Sequence, residues 1–163
     1  MDKFDILKKH WKHKTFRWNQ EEWIDILLSW KDLLYVAKTW DWKSICYQIP
    51  ALLKETWLTI VVSPLISLMV DQVKNLKKKW IATAEYLNSS LSTEERKDIY
   101  KRLMNWELSL IYVSPEWLSN DDFLKNLWKL EINYFIVDEF DSIDDYWNSW
   151  FRPEYLKLWS VRR

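Results

Sequence analysis

Apolar positions along the chain change their spacing several times, and each change marks an element. Phe4, Ile6 and Leu7 among lysines predict a short amphipathic helix over Asp2–His10. Asn19 reads as an N-cap, with Glu21 and Glu22 in the first turn and Ile24, Leu27 and Leu28 behind them. Strands are predicted at Leu33–Ala37, Leu58–Ser63, Ala82–Leu87, Leu108–Val113 and Tyr134–Val137. Helices fall between them. Ser44–Lys54 is one. A second starts at Pro64 and runs to Lys79, with Leu65, Leu68, Met69, Val73 and Leu76 on one face. Ser92 and Glu95 form a capping box ahead of a helix ending near Asn105. Asp121–Leu127 and Pro153–Val161 are also helical in pattern. Strands alternating with helices imply right-handed crossovers, hence an α/β fold with a mostly parallel sheet and helices on both faces. In such folds ligands bind at the carboxyl ends of the strands.

Two stretches carry chemistry at that edge. Ala37-Lys-Thr-Trp-Asp-Trp-Lys-Ser44 lies between a strand and a helix, the layout of a phosphate-binding loop. Lys43 would reach the β and γ phosphate oxygens and the Ser44 hydroxyl would hold Mg²⁺. Asp138-Glu139 follows an apolar strand: the aspartate suits Mg²⁺ and the glutamate can position or deprotonate an attacking water. Taken singly, Lys-Ser after a strand reads as a helix start and Asp-Glu as solvated surface. Together and in this order they point to an ATPase.

Composition changes the picture at one place. The 163 residues contain no glycine but 14 tryptophans, where average usage would supply roughly eleven glycines. Trp40 and Trp42 stand where the phosphate loop needs bare backbone. Trp30, in Ser-Trp-Lys-Asp ahead of a strand, Trp80 at a helix end and Trp106 after Asn105 stand where local chemistry asks for glycine. We expect that most of these tryptophans replace glycine, as when a UGA codon that the source reads as glycine is rendered as tryptophan. Taken literally, Trp42 fills the space of a phosphate. The rival expectation is a non-catalytic, truncated or mistranslated fragment that binds no nucleotide because Trp40 and Trp42 replace the loop glycines.

Other features narrow the function classes. A formal net charge of zero gives no global basic field, so any nucleic-acid surface is local. The single Cys46 excludes an internal disulfide framework and fits a buried small hydrophobe. Lys77–Lys79 reads as a solvated helix end, and His10 and His13 are too few for a metal site. No apolar run approaches a membrane span and the N-terminus is not signal-like, so a soluble cytoplasmic protein with no membrane partner is expected.

The motifs, taken jointly, resemble the first motor domain of a RecQ-type, superfamily 2 DNA helicase from about Leu7 to Arg163. Phe16-Arg17-Trp18-Asn19-Gln20 is similar to the segment upstream of the phosphate loop, and Cys46-Tyr47-Gln48-Ile49-Pro50-Ala51 to its continuation. Val62-Ser63-Pro64-Leu65-Ile66-Ser67-Leu68-Met69, with Asp71-Gln72-Val73, resembles motif Ia. Leu87-Asn88-Ser89 and Tyr112-Val113-Ser114-Pro115-Glu116 resemble later single-strand contacts. Val137-Asp138-Glu139 resembles motif II, and Phe151-Arg152-Pro153-Glu154-Tyr155 the close of an aromatic-rich loop.

This resemblance implies a RecA-like domain binding ATP and Mg²⁺, part of a 3′–5′ helicase that couples hydrolysis to translocation on single-stranded DNA and unwinding of duplex DNA. It implies adenine recognition by Arg17 and Gln20, with His13 against the base, and phosphate binding by Thr39, Trp40, Asp41, Trp42, Lys43 and Ser44. Lys43, Asp138 and Glu139 would be catalytic, and Ser44 and Asp138 the Mg²⁺ ligands. DNA contacts would come from Ser63, Pro64, Asn88, Ser114, Trp147, Phe151 and Arg152. Tyr146 to Arg152 suit stacking on bases, whereas Tyr155 fits packing of the last helix.

Glycine is the family residue at positions 30, 40, 42, 57, 80, 106 and 159. Trp11 falls at an aromatic position, Trp147 can be aligned either way, and Trp18, Trp23, Trp117, Trp128 and Trp150 stay unassigned. The pattern departs from the family at Asp141, usually histidine, and at Lys38, usually proline. The chain is expected to be this one domain, 1–163, truncated after motif II and the aromatic-rich loop, with the second motor domain missing. A small-molecule P-loop kinase would leave Ser63–Met69 and Phe151–Tyr155 unexplained.

Overall fold

The computed structural model describes residues 1–34, 43–53 and 57–139. Most of the predicted strand 33–37, the loop residues Thr39, Trp40, Asp41 and Trp42, the aromatic segment with Trp147, Phe151 and Arg152, and the predicted helix 153–161 lie outside them. The chain divides into two compact units between residues 55 and 56.

The first unit is helical. Asp2 caps α1 (Lys3–Ile6) in a capping box with Asp5, and the chain runs on as one π-helical stretch, Leu7–Trp11, that buries Leu7 and Trp11. Lys3 bridges to Glu21 at 3.0 Å and to Asp25, tying α1 to α2 (Gln20–Leu28). Desolvation opposes the charge on Lys3, but the bonds to Asp25 and Glu21 outweigh it and hold the ammonium above its ordinary range. α3 (Ser44–Leu53) is apolar nearly all round and buries Ile45 through Leu52, so α1 and α2 both pack on it.

Cys46 lies in that buried stretch, fully inaccessible, and burial pushes its thiol up to about 12. Native protein at pH 8 should therefore resist N-ethylmaleimide, whereas guanidinium-unfolded protein should be alkylated at once. Rapid modification of the native chain would contradict the burial. The sign of the linkage follows. Above the ordinary value of 9.0 the unfolded thiol ionises while the folded one keeps its proton, so this contribution to stability is full below pH 9 and is lost toward pH 12.

The second unit holds the sheet. Its strands are β1 (Leu58–Val62), β2 (Ala84–Leu87), β3 (Leu110–Val113) and β4 (Ile132–Val137), all parallel, in the order β2-β3-β1-β4. The crossovers are α4 (Ile66–Lys78), α5 (Thr93–Met104) and α6 (Asp121–Leu127). From β1 to β2 the chain moves one way along the sheet, and from β2 to β3 and β3 to β4 it moves the other. Right-handed crossovers thus put α4 on one face and α5 with α6 on the opposite one. Packing agrees: Leu58, Ile60, Val62, Ile111 and Val113, alternate residues of their strands, share a core with Ile99 and Leu103 of α5 and Phe123 and Leu127 of α6.

β2, at one end of the strand order, carries the buried charge Glu85. Its carboxylate takes Lys77 of α4 at 2.7 Å and Arg102 of α5 at 2.5 Å, and Arg102 also donates to the Ala82 carbonyl at 2.7 Å. A helix from each face is so clamped to one strand.

Three helices end alike. In each, the second residue past the helix has a left-handed backbone and is a tryptophan: Trp30 (φ 60), Trp80 (φ 63) and Trp106 (φ 60). After α4, the Trp80 N–H donates to the Lys77 carbonyl and the Ile81 N–H to the Leu76 carbonyl. The pairs Trp30→Leu27 with Lys31→Ile26, and Trp106→Leu103 with Glu107→Arg102, repeat the pattern. This is the Schellman motif, whose left-handed position is usually glycine. Any side chain there costs about 1–2 kcal/mol. Trp18 (φ 46) is a fourth case: with Asn19 at φ −90 and ψ 10 and a Gln20 N–H to Arg17 carbonyl bond of 3.1 Å, it follows a type II′ turn, whose first central position is glycine's.

The Ser92–Glu95 capping box and the bounds of α6 are as predicted. Three expectations need correction. Asn19 makes no side-chain cap bond, because the turn before α2 is closed instead by the Gln20 side chain accepting the Arg17 N–H. α4 begins at Ile66 rather than Pro64, since Leu65 is extended and acts as its cap. Leu65 is therefore exposed, and only Met69, Val73 and Leu76 of the predicted apolar face are buried.

Candidate nucleotide and nucleic-acid site

Each of the four described strands ends in an apolar residue followed at once by a polar one. Leu87, Val113, Val62 and Val137 are mutually in register across the order β2-β3-β1-β4. The next residues, Asn88, Ser114, Ser63 and Asp138, consequently form a row along the carboxyl edge. Ladder bonds carry the register into that row: Ser114 N–H to Leu87 carbonyl at 3.3 Å, Ser63 N–H to Val113 carbonyl at 3.1 Å and Asp138 N–H to Val62 carbonyl at 2.9 Å. Four residues singled out from sequence motifs far apart in the chain are thus brought together by strand pairing.

At one end of the row, the Asp138 side chain accepts the Glu139 N–H at 3.0 Å. Glu139 has φ 52, a left-handed conformation that costs a side-chain-bearing residue about 1–2 kcal/mol. Strain of this kind concentrates at functional sites. Both carboxylates are half-buried. Their hard oxygen donors suit Mg²⁺, which takes one or two protein carboxylates and keeps several waters. Among the described residues no cluster of three histidine, cysteine or acidic side chains could hold a metal alone.

At the other end, Asn88 is fully buried, its side-chain oxygen accepting the Ser90 N–H at 2.9 Å and the Ser90 hydroxyl at 2.6 Å. Its amide nitrogen, like the Ser63 hydroxyl, is buried without a partner among the described residues. Pro64 is half-buried and precedes exposed Leu65 and the exposed first residues of α4, Ile66 and Ser67. Ser114 begins a 3₁₀ turn, Pro115–Ser119, that the spacing of apolar residues does not reveal. Its only sequence cue is proline directly after a serine.

The first unit holds the expected adenine-recognition residues on the turn before α2. Gln20 is buried and doubly bonded to Arg17, side-chain oxygen to N–H at 2.9 Å and N–H to carbonyl at 3.1 Å, which leaves Arg17 exposed and His13 half-buried. Lys43 directly precedes α3, and Ser44 is its first residue, so both sit at the helix N-terminus, where phosphate is favoured.

Comparison with known proteins adds a family match and three relatives. The family model described as DEAD/DEAH box helicase matches residues 17–161. The chain is 42% identical over 158 residues to "ATP-dependent DNA helicase RecQ" of Pasteurella multocida, covering 97% of this chain and 24% of that protein. It is 40% identical to the protein of the same description from Haemophilus influenzae, covering 96% and 25%, and 36% identical to "ATP-dependent helicase SGS1" of Saccharomyces cerevisiae, covering 96% and 11%. The chain therefore spans about a quarter or less of the length of these relatives.

Proposed function

Because the chain belongs to the DEAD/DEAH box helicase family, and within it to the RecQ-type helicases, we propose that it is the first motor domain of an ATP-dependent DNA helicase. In this reading it binds ATP and single-stranded DNA, and in the whole protein it drives 3′–5′ translocation and duplex unwinding. One observation carries the reading: the row Asn88, Ser114, Ser63 and Asp138 joins, along one sheet edge, the DNA-contact motifs to the acidic pair.

Each residue has a task that its chemistry suits. Lys43 neutralises phosphate charge at the head of α3, where the Ser44 hydroxyl is an oxygen donor suited to Mg²⁺; in the second unit the Asp138 carboxylate is a donor of the same kind. Bound there, Mg²⁺ would supply charge neutralisation on the phosphates. Glu139 orients the attacking water and takes its proton. Gln20 and Arg17 recognise the adenine edge, with His13 against its face. Ser63, Pro64 and Ser114 face the strand of DNA. The second motor domain, which would complete the ATP site, is a partner this reading requires, and a cytoplasmic location goes with it.

Among the described residues, no helix is long and apolar enough to cross a membrane. A second reading, a fragment that binds no nucleotide, is favoured only by the literal indoles at positions 40 and 42.

The test is turnover. Full-length protein with glycine restored is expected to hydrolyse ATP at least about tenfold faster with an oligothymidylate than without it. Turnover indifferent to DNA would overturn the assignment.

A further inference from the structure

The segment after β2 is held from two directions. Asn88 grips Ser90 by its N–H and its hydroxyl, at 2.9 and 2.6 Å. Arg96, one turn into α5, donates Nη2 to the Ser89 carbonyl at 3.2 Å. The same guanidinium lies 5.7 Å from the ring centre of Trp117, in the 3₁₀ turn after β3. Trp117 in turn packs edge-on to Phe123, with ring centres 5.8 Å apart, and so is anchored to the core. α5 itself is fixed beside this segment by the Ser92–Glu95 capping box.

One arginine therefore links the loop after β2 to the turn after β3, the two segments that present Asn88–Ser90 and Ser114–Glu116. The Asn88 side-chain oxygen is committed inside the loop and the residue is buried, whereas Ser89 and Ser90 are exposed.

We propose that Arg96 is a positioning residue for single-stranded DNA: it locks the post-β2 loop to the post-β3 turn so that both meet the strand as one rigid surface. Asn88 supports the same loop from inside, and the DNA-facing atoms are those of Ser89 and Ser90. This proposal rests on the DNA-binding reading above. Rigid presentation matters because a loop ordered only on binding spends part of the contact energy on its own ordering. Arg96 does so without touching phosphate, and that separates it from an ordinary basic contact.

Fluorescence anisotropy of a labelled oligothymidylate, titrated with the chain at several KCl concentrations, tests this alongside amide hydrogen exchange. Arg96→Met removes the donor and the charge while keeping the length. Its dissociation constant should rise about fivefold, with the slope of log affinity against log salt unchanged. Exchange at Ser89–Leu91 should accelerate while Leu110–Val113 stays protected. Asn88→Ala should show the same pattern.

A salt slope shallower by about 0.7 would make Arg96 a phosphate contact instead and overturn the proposal. Unchanged exchange in the loop would overturn it as well. Unaltered chain that fails to bind the oligonucleotide would overturn the DNA reading itself. Binding that Arg96→Met leaves intact would overturn only the role given to Arg96.

Discussion

Glycine at positions 40 and 42 is expected to raise Mg-ATP affinity by at least about a hundredfold over the chain that carries tryptophan there, a difference of roughly 2.7 kcal/mol. Steric room at the loop sets the difference. A phosphate loop works by turning successive backbone N–H groups onto the anion, and the chain can do so only with positive φ and no Cβ in the way. An indole is among the largest groups that could stand there, and Trp42 directly precedes the lysine. α3 starts at Ser44 directly after Lys43. Titration of a fluorescent ATP analogue on both forms measures the difference. Adding Lys43→Ala to the restored form should remove most of the gain, because the ammonium then no longer meets the β and γ oxygens. Equal affinity of the two forms would defeat the steric argument, and normal turnover by the lysine variant would defeat the ATPase assignment.

The second large effect is on stability, and its sign differs between tryptophans. Trp30, Trp80 and Trp106 hold left-handed backbones at helix ends and are 46%, 92% and 46% exposed. Replacing each with glycine relieves about 1–2 kcal/mol of backbone strain and gives back about 0.5–1 kcal/mol through the freer unfolded chain. The three sites close three different helices, so their gains should add to about 2 kcal/mol, or a melting temperature about 4–8 °C higher for a chain of this size. Trp11 is the opposite case. It is 8% exposed and lies in the π-helical stretch, so Trp11→Gly should cost about 4 kcal/mol in lost packing and helix propensity. Differential scanning calorimetry on the triple and the single variant decides it. A triple variant that melts lower than its parent would show that the indoles earn their place, against the reading of most of them as glycine.

What could be read ahead of the structure was local and periodic. The Ser92–Glu95 box, the bounds of α6 and the parallel α/β architecture needed only short-range chemistry and alternation, and each is present. The demand for glycine at positions 30, 80 and 106 was equally visible, because a helix end states its need within a few residues. Competition among neighbouring groups was not visible. Asn19 looked like a cap, but the Gln20 side chain already satisfies an N–H of that turn. Leu65 fitted the apolar stripe of α4, yet an extended backbone at the helix entrance turns it outward. Asn88 and Arg96 show the limit for the site. Motif spacing marks Asn88 as polar at a strand end. Only the folded chain shows that its side-chain oxygen is committed to Ser90 and that an arginine from the next helix holds the residue between them.

Glu85 carries a consequence for life in a crowded solution. Any parallel sheet offers open backbone donors and acceptors along its outermost strand, and a passing copy can dock there and recruit others into a fibril. β2 ends the strand order among the described residues, and at its second position stands a carboxylate already committed to Lys77 and Arg102. An incoming strand would have to set its own side chain beside that occupied charge and disturb both helix anchors. The clamp that fastens two helices to the strand thereby also discourages the molecule from polymerising on itself.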